Sequence, residues 1–113
     1  MSWTPAGPAL LFCPADRPER FGKAAATADV VILDLEDGVA ADSKASGRRA
    51  VLESGLDPDR TIVRVNPAGT VDHERDLEVL AGTHYSTVML AKTETADQVH
   101  GMGGRSVLSL IHI

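Results

Sequence analysis

The sequence has one cysteine, no long apolar run and no cluster of basic residues, and each shortage excludes something. A lone thiol, Cys13, can form neither an internal disulfide nor a multi-cysteine zinc site. It lies in an apolar stretch with no base or cation beside it, which predicts a buried small hydrophobe and not a nucleophile. The longest uninterrupted apolar run is Ala9 to Cys13, far short of a membrane span, and the opening Met1-Ser2-Trp3-Thr4 lacks the positive region of a secretory signal. A cytoplasmic location is expected. Lys and Arg number 11 against 16 Asp and Glu, a net charge of -5, so neither nucleic acid nor an anionic membrane is an expected partner.

What is present is a chain of 113 residues, 43% apolar and 24% charged, enough for one modest core. Short β-prone runs alternate with amphipathic stretches, the pattern of strand-helix units around a parallel sheet. The runs are Ala9 to Cys13, Val30 to Leu33, Thr61 to Val65, Thr87 to Ala91 and Ser106 to Ile111. Between them, Pro18 suits the first turn of a helix whose apolar face is Phe21, Ala24, Ala25 and Ala28. Ala45, Ala50, Val51 and Leu52 supply a second helix, residues 76–80 lie in a third, and a fourth begins near Thr95. Asp57-Pro58-Asp59 and Asn66-Pro67-Ala68-Gly69 are turn signals, as is the glycine cluster at 101–104, which lacks the Lys-Ser/Thr of a phosphate loop. The fold class is α/β. An open doubly wound sheet and the first part of an eight-stranded barrel, which needs about 250 residues, both accommodate this order.

In either architecture ligands bind at the carboxyl ends of the strands, and three of those ends are polar. Asp34, Glu36 and Asp37 follow the second strand, Arg64 and Asn66 the third, Lys92 and Glu94 the fourth. Strand alternation puts Asp34 and Glu36 on the side of Val30 and Ile32, and Arg64 with Asn66 on the side of Ile62. An arginine within an apolar strand needs an anion, so Arg64 implies either an internal salt bridge to Asp34 or Glu36, or an anionic ligand. Three crowded acids call for a cation, and hard oxygen ligands suit Mg2+; the competing reading is a plain Asp37-Gly38 turn. Lys92 alone reads as a solvated charge. His73, His84 and His100 show no ligand spacing, and His73 between Asp72 and Glu74 is expected at the surface of a helix start.

Four strings taken in order are distinctive: residues 12–20 (FCPADRPER), 31–39 (VILDLEDGV), 63–66 (VRVN) and 89–94 (MLAKTE). Together they resemble the citrate lyase beta subunit family of the HpcH/HpaI aldolase group. The resemblance implies that residues 1–107 form the N-terminal portion of a (β/α)8 TIM barrel. It also implies a Mg2+-dependent carbon-carbon lyase acting on a β-hydroxyacyl thioester of coenzyme A or a carrier protein, with a keto acid and an acyl thioester as products. The same resemblance gives Arg64 the keto-acid carboxylate, sets Glu36 and Asp37 near the metal-water shell, and leaves Lys92 lining the site. It implies a homotrimer at full length, with the metal ligands on strands five and six and the catalytic acid or base later still. The fifth-strand glutamate of the family falls beside His112. Residues 108–113 are the translation of CTG TCT CTT ATA CAC ATC, which resembles a transposon end used in library adaptors. That segment is expected to be a non-native tail, and the 113-residue piece unstable and inactive. The rival from another class is a receiver domain phosphorylated on Asp34, which shares the length, the strand-helix rhythm and a late lysine.

Overall fold

The computed structural model describes residues 9–90 and the backbone of 106–109. Strands β1 (Leu10–Pro14), β2 (Val30–Asp34), β3 (Thr61–Val65), β4 (Thr87–Leu90) and β5 (Ser106–Ser109) form one sheet in the order β1-β2-β3-β4-β5. Each neighbouring pair is parallel. Helices α1 (Phe21–Thr27), α2 (Lys44–Glu53) and α3 (Val71–Leu80) make the first three crossovers. A doubly wound sheet reverses its strand order at a switch point, and a receiver-type sheet begins 2-1-3. Strictly sequential order without reversal is the winding of a (β/α)8 barrel, so the open-sheet alternative is set aside.

Alternation divides the sheet into two faces. One face, with Cys13, Val31, Leu33, Val63, Val65, Val88 and Leu90, packs under the helices against Phe21, Ala24, Ala28, Ala50, Val51 and Leu80. The other carries Phe12, Ile32, Asp34, Ile62, Arg64 and Met89, aligned by strand register. This second face corresponds to the interior of a barrel, and its charged members stand at the carboxyl ends of the strands.

Local chemistry sets the boundaries. Pro18 opens a 3-10 turn that runs into α1. Asp57 caps a second such turn by accepting from the Asp59 amide. Thr70 caps α3 by accepting from the His73 amide, and Gly69, at φ +90°, takes the backbone conformation that makes the preceding turn possible. In α2 the inward residues are Gly47, Arg48, Ala50 and Val51, while Ala45 and Leu52 face outward. The helix phase is decided by the approach of Gly47 to the sheet, where an added Cβ would meet Ala15 at 3.3 Å and Leu35 at 3.4 Å.

Candidate active site

β2 ends in an aspartate that stands directly across the ladder from Arg64 of β3. Arg64 Nε donates to Asp34 Oδ1 at 2.9 Å and Nη2 donates to Oδ2 at 2.6 Å, a bidentate fork. Arg64 Nη1 lies 3.8 Å from Glu36 Oε1, and its guanidinium carbon is 5.1 Å from the centre of the Phe12 ring. All three charged groups are buried. The hydrogen bond to Asp34 outweighs desolvation and raises the Arg64 pKa above its ordinary value, with Glu36 and Asp37 adding to the effect, so the guanidinium is a fixed positive charge. Of the two sequence readings of Arg64, the internal salt bridge to Asp34 is the one present. That bridge takes the Nε–Nη2 edge of the fork, and the Nη1 end faces Glu36.

Asp34 also organises the loop that follows it. Its Oδ1 accepts from the Glu36 amide at 2.8 Å and its Oδ2 from the Gly38 amide at 2.9 Å. Gly38 has to be small, because a Cβ there would sit 2.8 Å from Asp34 Oδ2. Lys44, the first residue of α2, closes the loop from outside by donating to the carbonyls of Leu35, Glu36 and Val39 at 2.9, 2.9 and 3.2 Å. Glu36 is thereby turned inward and Asp37 outward into solvent. An Asp34 carboxylate engaged by two guanidinium nitrogens and two loop amides is not a free phosphoryl acceptor. Together with the sheet order, this removes the receiver reading.

Behind β3 lies a buried polar network that periodicity did not disclose. Asp76 of α3 is fully buried; its Oδ1 accepts from Arg48 Nη1 at 2.9 Å and its Oδ2 from the backbone and side-chain nitrogens of Asn66 at 2.8 and 2.7 Å. His73, expected at the surface, is buried, with its Nδ1 2.8 Å from the Asn66 carbonyl oxygen. Asn66 does not share the side of Arg64, because the strand ends at Val65 and the alternation rule ends with it. The signal available in the sequence was the spacing of His73, Asp76 and Leu80, one inward helical stripe carrying two polar residues.

Lys92 and Glu94 lie outside the described residues, as do His100, the 101–104 glycines and the 110–113 end of the expected tail. Cys13 is buried, and that burial raises its thiol pKa more than nearby Arg20 lowers it. Among the described residues no group of three His, Cys, Asp or Glu is placed to hold a metal ion. Nor does any described helix have the length and apolarity to cross a membrane.

Residues 9–104 match the family described as HpcH/HpaI aldolase/citrate lyase. A citrate lyase subunit beta-like protein of Mycobacterium tuberculosis is 60% identical over 111 residues, covering 98% of this chain and 41% of that protein. An L-malyl-CoA/beta-methylmalyl-CoA lyase of Cereibacter sphaeroides is 41% identical over 100 residues, 81% of this chain and 31% of that one. The chain thus spans less than half the length of these curated relatives. Among solved structures, the M. tuberculosis citrate lyase beta subunit complexed with oxaloacetate and magnesium superposes with a TM-score of 0.90 at 62% identity, covering 93% of this chain and 47% of that one. The M. tuberculosis protein CitE in complex with magnesium, acetoacetate and coenzyme A gives 0.90 at 62%, covering 93% and 39%.

Proposed function

Since this chain belongs to the HpcH/HpaI aldolase/citrate lyase family, we propose that the whole protein is a Mg2+-dependent lyase that cleaves a carbon-carbon bond in a β-hydroxyacyl thioester of coenzyme A or a carrier protein. The products are a small keto acid and an acyl thioester. The observation that carries the reading is the Arg64–Asp34 fork at the carboxyl ends of β3 and β2, with the Nη1 end of the guanidinium outside the fork and 3.8 Å from Glu36 Oε1. A guanidinium held rigidly by one carboxylate is pre-organised to grip a second one.

Charge balance supports a divalent cation as part of the site. Arg64 faces the carboxylates of Asp34 and Glu36, with Asp37 nearby, while Lys44 is bound to backbone carbonyls, so an anionic guest arrives at a locally negative loop. The described residues do not form a metal cage, and Asp34 is already committed; Mg2+ is assigned to the whole protein on the strength of the relatives solved with it. When bound in the whole protein, Mg2+ would supply polarisation of the keto-acid carbonyl. Arg64 would orient the carboxylate of that acid, Asp34 holds Arg64, and Glu36 with Asp37 would stand near the water shell of the ion. The assembly is a cytoplasmic homotrimer, and the 113-residue piece alone is inactive, because a barrel site draws on the ends of several strands.

The test is to offer the whole protein malyl-CoA, citramalyl-CoA and citryl-CoA with and without Mg2+, following release of the keto acid. Mg2+-dependent cleavage of at least one thioester is expected. No cleavage of any, with no Mg2+-dependent binding of oxaloacetate, contradicts the proposal.

A further inference from the structure

The β2–β3 ladder does not end where its backbone bonds end. In a parallel pair every second residue bonds a given neighbouring strand, giving its N–H to one partner residue and its C=O to the residue two further on. The Leu35 N–H follows the rule and donates to the Arg64 carbonyl at 2.9 Å. The Leu35 carbonyl should then accept from the amide of Asn66, but that amide has turned away to Asp76 Oδ2 at 2.8 Å. The Asn66 side chain takes its place, with Nδ2 donating to the Leu35 carbonyl at 3.0 Å and also to Asp76 Oδ2 at 2.7 Å. The last rung is therefore built from a side chain, which lets the backbone leave β3 while the two strand ends stay in register.

The rung is anchored from behind. Asp76 is fixed by Arg48, which also reaches Asp72 Oδ1 at 3.2 Å, and the Asn66 carbonyl is held by the His73 ring. Every connection is buried or partly buried and satisfied, so the rung has one geometry. On its two sides stand Arg64, two residues before Asn66, and Asp34 and Glu36, which flank Leu35. We propose that Asn66, held by Asp76 and Arg48, is a positioning residue that keeps Arg64 and Asp34 in the fork needed to bind the keto-acid carboxylate.

The proposal rests on the reading of Arg64 as the carboxylate anchor, and one set of titrations separates the two. Oxaloacetate is titrated with Mg2+ into the whole protein and into its N66A, R64K and R64K/N66A forms, with cooperative thermal unfolding confirmed for each. N66A is expected to bind about tenfold more weakly, the size typical of lost supporting contacts. The double variant should bind within about twofold of R64K, because Asn66 acts only through Arg64. An unchanged affinity in N66A, or a full additive loss in the double variant, overturns the inference. If N66A does not fold, N66S, with one donor where Asn66 has two, replaces it under the same expectations and the same contrary results. An R64K protein that binds oxaloacetate as tightly as the parent removes the functional reading itself; a weakened R64K beside an unaffected N66A removes only this inference.

Discussion

Asp34 and Arg64 face each other across the β2–β3 ladder and share two hydrogen bonds, at 2.9 and 2.6 Å, while the same carboxylate also receives the amides of Glu36 and Gly38. One side chain thus couples strand register, loop shape and the orientation of the only arginine in β3. Asp34→Asn substitutes an NH2 group for one oxygen, so a donor faces donors. The expected loss is about 3 kcal/mol in urea unfolding of the whole protein, the scale for breaking a buried pair from one side. An unchanged midpoint contradicts the coupling. Incubation of the parent with acetyl phosphate should add no phosphoryl group at Asp34 by mass spectrometry.

Two glycines should respond with opposite sign. Gly38→Ala places a Cβ against Asp34 Oδ2 and is expected to cost about 1–3 kcal/mol. Gly22→Ala, in α1 where an added Cβ meets nothing within 4 Å, should be neutral or stabilise by up to about 1 kcal/mol. Equal effects from the two substitutions would contradict the packing described for residues 34–38.

Lys44→Met removes the donor shared by three loop carbonyls. A cost of about 1–3 kcal/mol is expected, with amide exchange at residues 35–39 faster by about tenfold. Unchanged protection would show that Asp34 alone holds the loop.

Cys13 should be slow toward thiol reagents. Burial raises its pKa, so at pH 8 the folded protein carries less thiolate than an ordinary cysteine would. The same shift favours the folded state below the unfolded thiol pKa, and that contribution is lost as pH rises through the higher folded value. Alkylation at pH 8 in the native state at the rate seen in urea contradicts the assignment.

The strands were legible because apolar runs bounded by turn residues leave little choice: Thr61–Val65 was read with the bounds the structure has. Arg64 and the acids after β2 were legible for the opposite reason, since charges at the end of apolar strands stand out. Their pairing is legible only as one alternative, a salt bridge of Arg64 to Asp34 or Glu36, because register depends on which rung meets which, and only the fold sets Asp34 opposite Arg64. Asn66 was assigned the wrong side because alternation holds only while the ladder does. His73 reads as a surface residue, and Asp76 and Arg48 give no sign of burial, because each is a polar residue on an inward helical stripe, and what makes that tolerable is a partner on another element. Lys44 gave no local sign, as the carbonyls it caps lie five to nine residues back along the chain.

The most direct measurement is the affinity of the whole protein and its Arg64→Lys form for oxaloacetate in the presence of Mg2+, by calorimetric titration. An ammonium can satisfy Asp34 or the guest but not both, and a loss of about 100-fold is expected, the worth of a charge-assisted hydrogen bond. Equal affinity in the two proteins would contradict the role of Arg64 as the anchor of the keto-acid carboxylate.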